Sequence, residues 1–334
     1  MKFTILLIFT LVMSSSYAQV TDFNDIDFSR ADTIAKINQG FSLENLPLLA
    51  HTLTEKLPTK VEKLRAIYTW VCTNISGDSR QDNIVTRERK KIKKDSMGFL
   101  QWNEQYRKKA FKKLLNRKRT MCTGYAYLVR ELCTLADIEC EIINGYGRTA
   151  AANAEKLEMT NHSWNAVKLN DKWYLCDATW SSGYTYDNHF VNDYNDGYFL
   201  ADPVLFAQNH YPVQKKWLLD VTLINKEYIA TPLVYNEAFR YKIITLSPQL
   251  MHVSVQKNSV VDFSFKSQKS LSNNAVALVK FSDTGIEPFK IYDMEQKNGV
   301  TSFKYSFKHK GSYDAHLKID NDIVASFVIT VSGD

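Results

Sequence analysis

The sequence predicts an α+β protein whose C-terminal part is an antiparallel β-sandwich. Apolar residues recur every three to four positions in the segments 59–72 and 122–136, which is the spacing of amphipathic helices. Aromatic-rich runs at 162–169 and 172–179 flank an Asn-Asp pair and predict a β-hairpin. Beyond residue 236, short alternating runs rich in β-branched and aromatic residues are separated by turn residues, which is typical of a sandwich.

These patterns divide the chain into a signal peptide at 1–18, a helical lead-in at 19–58, a mixed domain at 59–232 and the sandwich at 236–334, with Pro232 near the boundary. The strands predicted for the sandwich are Phe239–Leu246, Val260–Phe265, Ala275–Phe281, Ser302–Phe307, Tyr313–Ile319 and Ile323–Val331. This part of the sequence carries no evident chemistry. Packing or recognition is its expected role.

The first eighteen residues have the pattern of a secretory signal. Lys2 precedes an apolar run at 3–13, and small residues lead to Ala18. This arrangement predicts cleavage near Ala18 and an exported protein, either periplasmic or extracellular. An uncleaved anchor is the less favoured alternative, because the run is shorter than the ~20 residues that span a bilayer. No later segment is long and apolar enough to predict a transmembrane helix.

Positive charge is concentrated in one segment. The chain carries a formal net charge of +6, and residues 87–119 hold fourteen Lys and Arg against three Asp and Glu. This block suggests an anionic polymer or surface as a partner. The favoured alternative is a solvated helical face, because aromatic and aliphatic residues recur through it at helical spacing. Nucleic acid is not an expected partner for an exported protein without a recognisable binding module.

Cys122 is the candidate nucleophile among five cysteines. The odd number indicates at least one free thiol. The sequence has no Cys-x-x-Cys pair and no histidines at metal-binding spacing, so neither a metal nor another cofactor is expected. Cys122 stands where a helix is predicted to begin, so the helix dipole favours its thiolate. Backbone amides there also face a developing oxyanion. The alternative is an inert, buried cysteine.

His162 and Asp177 are predicted to lie on one face of the hairpin. With Asn170 and Asp171 as the loop, paired residue numbers sum to 341, so Asp177 would face Trp164 and lie diagonal to His162. A carboxylate on one imidazole nitrogen fixes the tautomer and leaves the other nitrogen to take the thiol proton. The alternative is a purely structural His–Asp pair.

Three blocks in this order resemble the transglutaminase-like superfamily, in the branch that includes kyphoscoliosis peptidase. The blocks are Met121–Ala126, His162–Val167 and Trp173–Trp180, with flanking motifs at Glu62–Trp70 and Tyr198–Trp217. The resemblance covers about residues 59–219. It implies a papain/transglutaminase-like core and a Cys–His–Asp triad at Cys122, His162 and Asp177. It also implies a protein or peptide substrate.

The chain departs from the family pattern in two places, Ile75–Asp78 and Thr120-Met121. The second oxyanion donor is unidentified, and Gln101 and Trp102 are the two candidates for it. The resemblance favours a cysteine peptidase or amidase that acts through a thioester acyl-enzyme. Acyl transfer to an amine, as in a transglutaminase, is the alternative within enzymes. A non-catalytic binding scaffold is the alternative outside them.

Overall fold

The computed structural model of the chain describes residues 20–92, 95–150, 157, 159–219, 221–271 and 273–333. The predicted signal peptide at 1–18 lies outside the described residues. Within those ranges, no helix combines the length and the apolar character needed to cross a membrane.

The N-terminal two thirds of the chain is mainly helical. Its helices, including those that lead into the C-terminal sheets, are α1 (Ser29–Ile37), α2 (Leu46–Thr54), α3 (Lys60–Asn74), α4 (Ser79–Lys91), α5 (Ser96–Arg117), α6 (Cys122–Leu135), α7 (Ala178–Ser182), α8 (Pro203–Phe206), α9 (Asn225–Ala230) and α10 (Asn236–Tyr241). The two helices predicted from spacing are α3 and α6. Thr59 and Glu62 form the predicted capping box at the start of α3.

A four-stranded antiparallel sheet in the order β5-β4-β3-β8 packs against α6. The strands of this part are β1 (Ser76–Gly77), β2 (Arg119–Thr120), β3 (Cys140–Gly147), β4 (His162–Leu169), β5 (Lys172–Cys176), β6 (Gly183–Tyr186), β7 (His189–Asn192) and β8 (His210–Pro212). The next strand along the chain, β9 (Leu233–Val234), joins a sheet of the C-terminal part. Buried side chains of α3, α6 and the sheet share one core with the lead-in helices. Arg65 of α3 joins this core to α1 by an ion pair with Asp32 at 2.7 Å.

The β4–β5 hairpin has the predicted register. Ala166 pairs with Leu175, and the loop residues Asn170 and Asp171 have φ angles of 48° and 61°, as in a two-residue hairpin turn. The prediction that the second strand continues to residue 179 is wrong. β5 ends at Cys176, because the side chain of Asp177 accepts hydrogen bonds from backbone amides of the next turn and begins α7.

The C-terminal part consists of two packed sheets in the orders β10-β12-β16-β15 and β11-β18-β17-β13-β14. Its strands are β10 (Ile243–Ser247), β11 (His252–Gln256), β12 (Val260–Ser267), β13 (Val276–Ser282), β14 (Gly285–Pro288), β15 (Tyr292–Lys297), β16 (Val300–Ser306), β17 (Gly311–Ile319) and β18 (Asp322–Ser332). Phenylalanine rings of both sheets fill the core between them. The sheets are antiparallel except that β11 runs parallel to β18.

The first predicted strand of the sandwich, Phe239–Leu246, is only partly correct. α10 occupies its beginning, and β10 starts at Ile243. Phe239 instead stacks on Tyr198 with 3.9 Å between the ring centroids, and the Tyr198 hydroxyl donates to Asn236 at 2.8 Å. Tyr198 is fully buried, so this contact fixes the C-terminal sheets to the domain that contains the hairpin.

Candidate active site

Cys122 is the first residue of α6 and is 7% exposed. Its position is set by a short parallel pairing in which Gly77 of β1 faces Thr120 of β2, and the Asp78 amide donates to the Thr120 carbonyl at 2.8 Å. A Cβ at Gly124 would collide with the Thr120 side chain, so glycine is required there. The two departures from the family pattern therefore lie side by side, directly before the thiol.

Cys122, His162 and Asp177 come together at the end of the central sheet. The Nε2 atom of His162 lies 2.7 Å from Oδ2 of Asp177. The side chain of Cys122 lies close enough to His162 for the imidazole to act on the thiol. The remaining Asp177 oxygen accepts from the amides of Thr179 at 2.8 Å and Trp180 at 3.3 Å. Asp177 thus joins His162 of β4 to the start of α7, and the imidazole lies beside the thiol at the start of α6.

His210 of β8 is a further residue of this site. Its Nε2 lies 3.1 Å from Asp177 Oδ2, and its Nδ1 lies 2.6 Å from Asn209 Oδ1. β8 reaches the site because His210 pairs with Gly147 at the end of β3. Sequence patterns do not single out His210, since it lies 33 positions from its partner and on a separate strand. Its only signal is its place in the Tyr198–Trp217 motif.

The charges of the site favour a thiolate beside an imidazolium. Burial alone would raise the pKa of Cys122, but the hydrogen bond and charge of His162 lower it overall. Burial would lower the pKa of His162, whereas the Asp177 charge and hydrogen bond raise it to about 10. Burial and the charge of His162 lower the pKa of His210 to about 4, a shift opposite to that of His162.

The direction of its pKa shift distinguishes Cys122 from cysteines nearby. Burial raises the pKa of Cys72 and Cys176, and the negative charge of Asp177 raises both further. The thiols of Cys133 and Cys140 interact with each other through a hydrogen bond. All five cysteines are free and buried. Cys122 is therefore the cysteine of this group whose surroundings stabilise the thiolate.

Aromatic rings enclose both histidines. Trp180 stacks on His162 with 4.6 Å between centroids and 21° between planes. Phe206 stacks on His210 at 3.9 Å, and Trp164 meets the edge of the same imidazole at 5.0 Å. These contacts fix the ring planes and keep water from the hydrogen bonds to Asp177.

Helices α4 and α5 cover the nucleophile. Val85 of α4, together with Trp102 and Tyr106 of α5, packs against Met121 and Cys122. Of the two candidate oxyanion donors, Trp102 packs against the cluster that contains Cys122, whereas Gln101 is exposed. The amide of Gly124 already donates to the Met121 carbonyl at 2.9 Å, which leaves the amides of Cys122 and Thr123 for an oxyanion.

In the described part of the chain, His162, Asp177 and His210 are the group whose ligand atoms are close enough to hold a metal ion, all within 4.8 Å. Their atoms already make hydrogen bonds of 2.7 Å and 3.1 Å with one another. These bonds account for the grouping. His162 also contacts the thiol, so the arrangement suits proton transfer between sulfur and imidazole.

Replacing His162 with alanine is expected to move the pH dependence of Cys122 alkylation upward. Without the imidazolium, burial dominates and the thiolate forms only at higher pH, so the midpoint should rise by about one pH unit or more. The rate of iodoacetamide labelling at Cys122, followed by mass spectrometry between pH 5 and 10, measures this shift. His252→Ala, at an exposed position, is the control. An unchanged midpoint in His162→Ala would contradict the assigned contact.

Replacing His210 with phenylalanine is expected to destabilise the fold while keeping the ring volume. The buried Asp177 carboxylate would lose one of its donors, which costs about 1–3 kcal/mol in the free energy of unfolding. Urea unfolding at pH 7 measures the loss, and His252→Phe serves as a surface control. Equal unfolding midpoints for the two variants would show that His210 does not support Asp177.

Comparisons with known proteins agree with this geometry. Residues 48–178 match the model of the transglutaminase-like superfamily. Human kyphoscoliosis peptidase is 31% identical over 199 residues, which cover 58% of this chain and 26% of that protein. Hillarin of Drosophila melanogaster is 24% identical over 246 residues, covering 67% of this chain and 26% of that protein. The chain thus spans about a quarter of the length of these relatives.

A filamin domain of Lin-41 is similar to 27% of this chain, over 91% of its own length, with 10% identity and a TM-score of 0.21. That score supports no further inference. The superfamily match covers the helices and strands that bring Cys122, His162 and Asp177 together. Residues 48–178 are therefore a transglutaminase-like domain, and the chain is similar in sequence to kyphoscoliosis peptidase.

Proposed function

We propose that this protein is a cysteine hydrolase that cleaves peptide or amide bonds of protein substrates. The observation that carries the proposal is the grouping of Cys122, His162 and Asp177, in which Asp177 holds the imidazole and the imidazole lowers the pKa of the thiol. A nucleophile, a base and a group that orients the base are the parts that covalent amide hydrolysis needs. The name of kyphoscoliosis peptidase describes that relative as a peptidase, which agrees with hydrolysis.

The reaction begins with the thiolate of Cys122 attacking the carbonyl carbon of the substrate. The amides at the start of α6 face the oxyanion as the carbon–sulfur bond forms. His162 then gives its Nδ1 proton to the amide nitrogen, the carbon–nitrogen bond breaks, and the amine leaves. Water attacks the resulting thioester while His162 takes one of its protons. The carbon–sulfur bond breaks, which releases the acid and restores the thiolate–imidazolium pair.

Acyl transfer to an amine is the second candidate. The same thioester would react with an amine nitrogen in place of water, and His162 would take the amine proton. The specific observation in its favour is Asp82 of α4, whose negative charge acts on both Cys122 and His162. A carboxylate so near the thioester would attract a lysine ammonium group.

Replacing Cys122 with alanine is expected to abolish cleavage in a mixture of peptides derived from a proteome, because no acyl-enzyme can form. Mass spectrometry of new peptide termini measures cleavage, and biotin-pentylamine added to the same reaction reports acyl transfer. Cys140→Ala is the matched control, since Cys140 is also a buried cysteine. Cleavage that survives in Cys122→Ala would refute the mechanism. Biotin incorporation without new termini would favour the transferase. The absence of both products would favour a binding scaffold.

We also propose that the protein is exported, on the strength of the signal pattern that ends near Ala18. Expression of the full chain in a secreting host is expected to yield a product that begins at Gln19. Intact-mass measurement of the exported fraction tests this. Recovery of the product only inside the cells and with its first eighteen residues intact would contradict it.

A further inference from the structure

A cavity of about 480 Å³ lies between α4 and the β6–β7 hairpin. Its lining residues are Arg80, Asn83, Ile84, Arg87 and Asn188. The helix supplies four of these, and Asn188 belongs to the hairpin turn. Asn83 donates a hydrogen bond to Asn188 at 3.4 Å, so the two walls touch at one point. The volume is in the range of sites that take side chains or small ligands.

Both walls of the cavity are attached to the candidate active site. Residues at positions 80, 84 and 87 share one face of α4, and the opposite face carries Val85, which packs against Cys122. The hairpin begins directly after α7, the helix that Asp177 caps. A Cβ at Gly77 would collide with the ring of Phe190, so β7 also packs closely against the strand beside Thr120.

The cavity carries positive charge that the described residues leave largely uncompensated. Arg80 has no acidic partner among them, and Arg87 has only a long contact of 3.7 Å with Glu88. Both arginines are exposed, so their guanidinium groups are accessible. Guanidinium groups bind carboxylates through paired hydrogen bonds, and the side chains of Asn83 and Asn188 add polar groups beside them.

The distance between the cavity and the nucleophile follows from the helix between them. An α-helix with its side chains is about 10–12 Å across. An extended peptide advances about 3.3 Å per residue. A substrate that places its scissile bond at Cys122 and passes over α4 would therefore bring a side chain about three or four positions away to the arginines.

We propose that this cavity is a substrate subsite that binds the aspartate or glutamate side chains of an acidic peptide segment, a few residues away from the scissile bond. The inference rests on the proposed function, because it names the substrate class of that same site. It also gives the positive charge of α4 a specific role beyond solvation.

The test is binding of two fluorescein-labelled decapeptides, oligoglutamate and oligoglutamine, to the full-length Cys122→Ala protein by fluorescence anisotropy. Oligoglutamate is expected to bind at least tenfold more tightly than oligoglutamine. The double variant R80Q/R87Q is expected to lose at least tenfold in affinity for oligoglutamate. The matched control K108Q/K109Q removes the same charge from an exposed part of α5 and should change affinity less than threefold. Thermal melting checks that each variant is folded.

Equal affinity for the two decapeptides, or equal losses in R80Q/R87Q and K108Q/K109Q, would overturn the proposal, since the binding would then be unspecific or spread over the whole basic surface. Iodoacetamide labelling of Cys122 in the wild-type protein distinguishes this failure from that of the proposed function. If Cys122 is activated but the protein does not prefer oligoglutamate to oligoglutamine, the subsite alone is overturned. Arginine-dependent binding of oligoglutamate with an unreactive thiol would overturn the role in substrate binding.

Discussion

The buried carboxylate of Asp177 is the constraint on which the site depends. The residue is 0% exposed, and an ionised carboxylate at that depth is stable only with several donors around it. Those donors come from three elements: His162 on β4, His210 on β8 and the amides of α7. One charge thus fixes the relative positions of two strands and a helix, and the orientation of the imidazole beside the thiol follows from it.

The negative charge of Asp177 has opposite consequences for the pKa of Cys176 and the pKa of Cys122. Cys176 is adjacent to Asp177 in sequence, and the carboxylate disfavours its ionisation directly. Cys122 meets the carboxylate only through His162, whose positive charge reverses the sign of the effect. Burial acts to raise the pKa of both thiols, and the charges around Asp177 add to this effect at Cys176 and oppose it at Cys122. The intervening imidazole, rather than helix position alone, makes this distinction.

Local rules account for the features that the sequence made predictable. The Asn-Asp turn determined the register of the hairpin, and the capping box at Thr59 determined where α3 begins. The contact between His162 and Asp177 could be anticipated because both belong to one hairpin. The element that carries Asp177, however, differs from the predicted strand. Asp177 reaches the imidazole from a helix cap, since the strand ends one residue earlier.

Features that depend on distant partners could not be predicted in this way. His210 joins the site through the pairing of β8 with β3, and no periodicity in the sequence reveals that pairing. The basic segment has the apolar side that its spacing predicts, but no local rule shows that Trp102 and Tyr106 pack against the cluster that contains Cys122. The parallel strand β11 and the helix at the start of the Phe239 segment likewise depend on tertiary contacts that override local alternation.

The stack of Phe239 on Tyr198 has a consequence for how the molecule can be divided. A fragment cut at Pro232 would keep Tyr198 but remove Phe239 and Asn236, and so would uncover an apolar face next to the helix that Asp177 caps. Newly exposed aromatic surface of this kind promotes aggregation. The boundary visible in composition is therefore a poor place for truncation, and an autonomous fragment would have to retain at least α10.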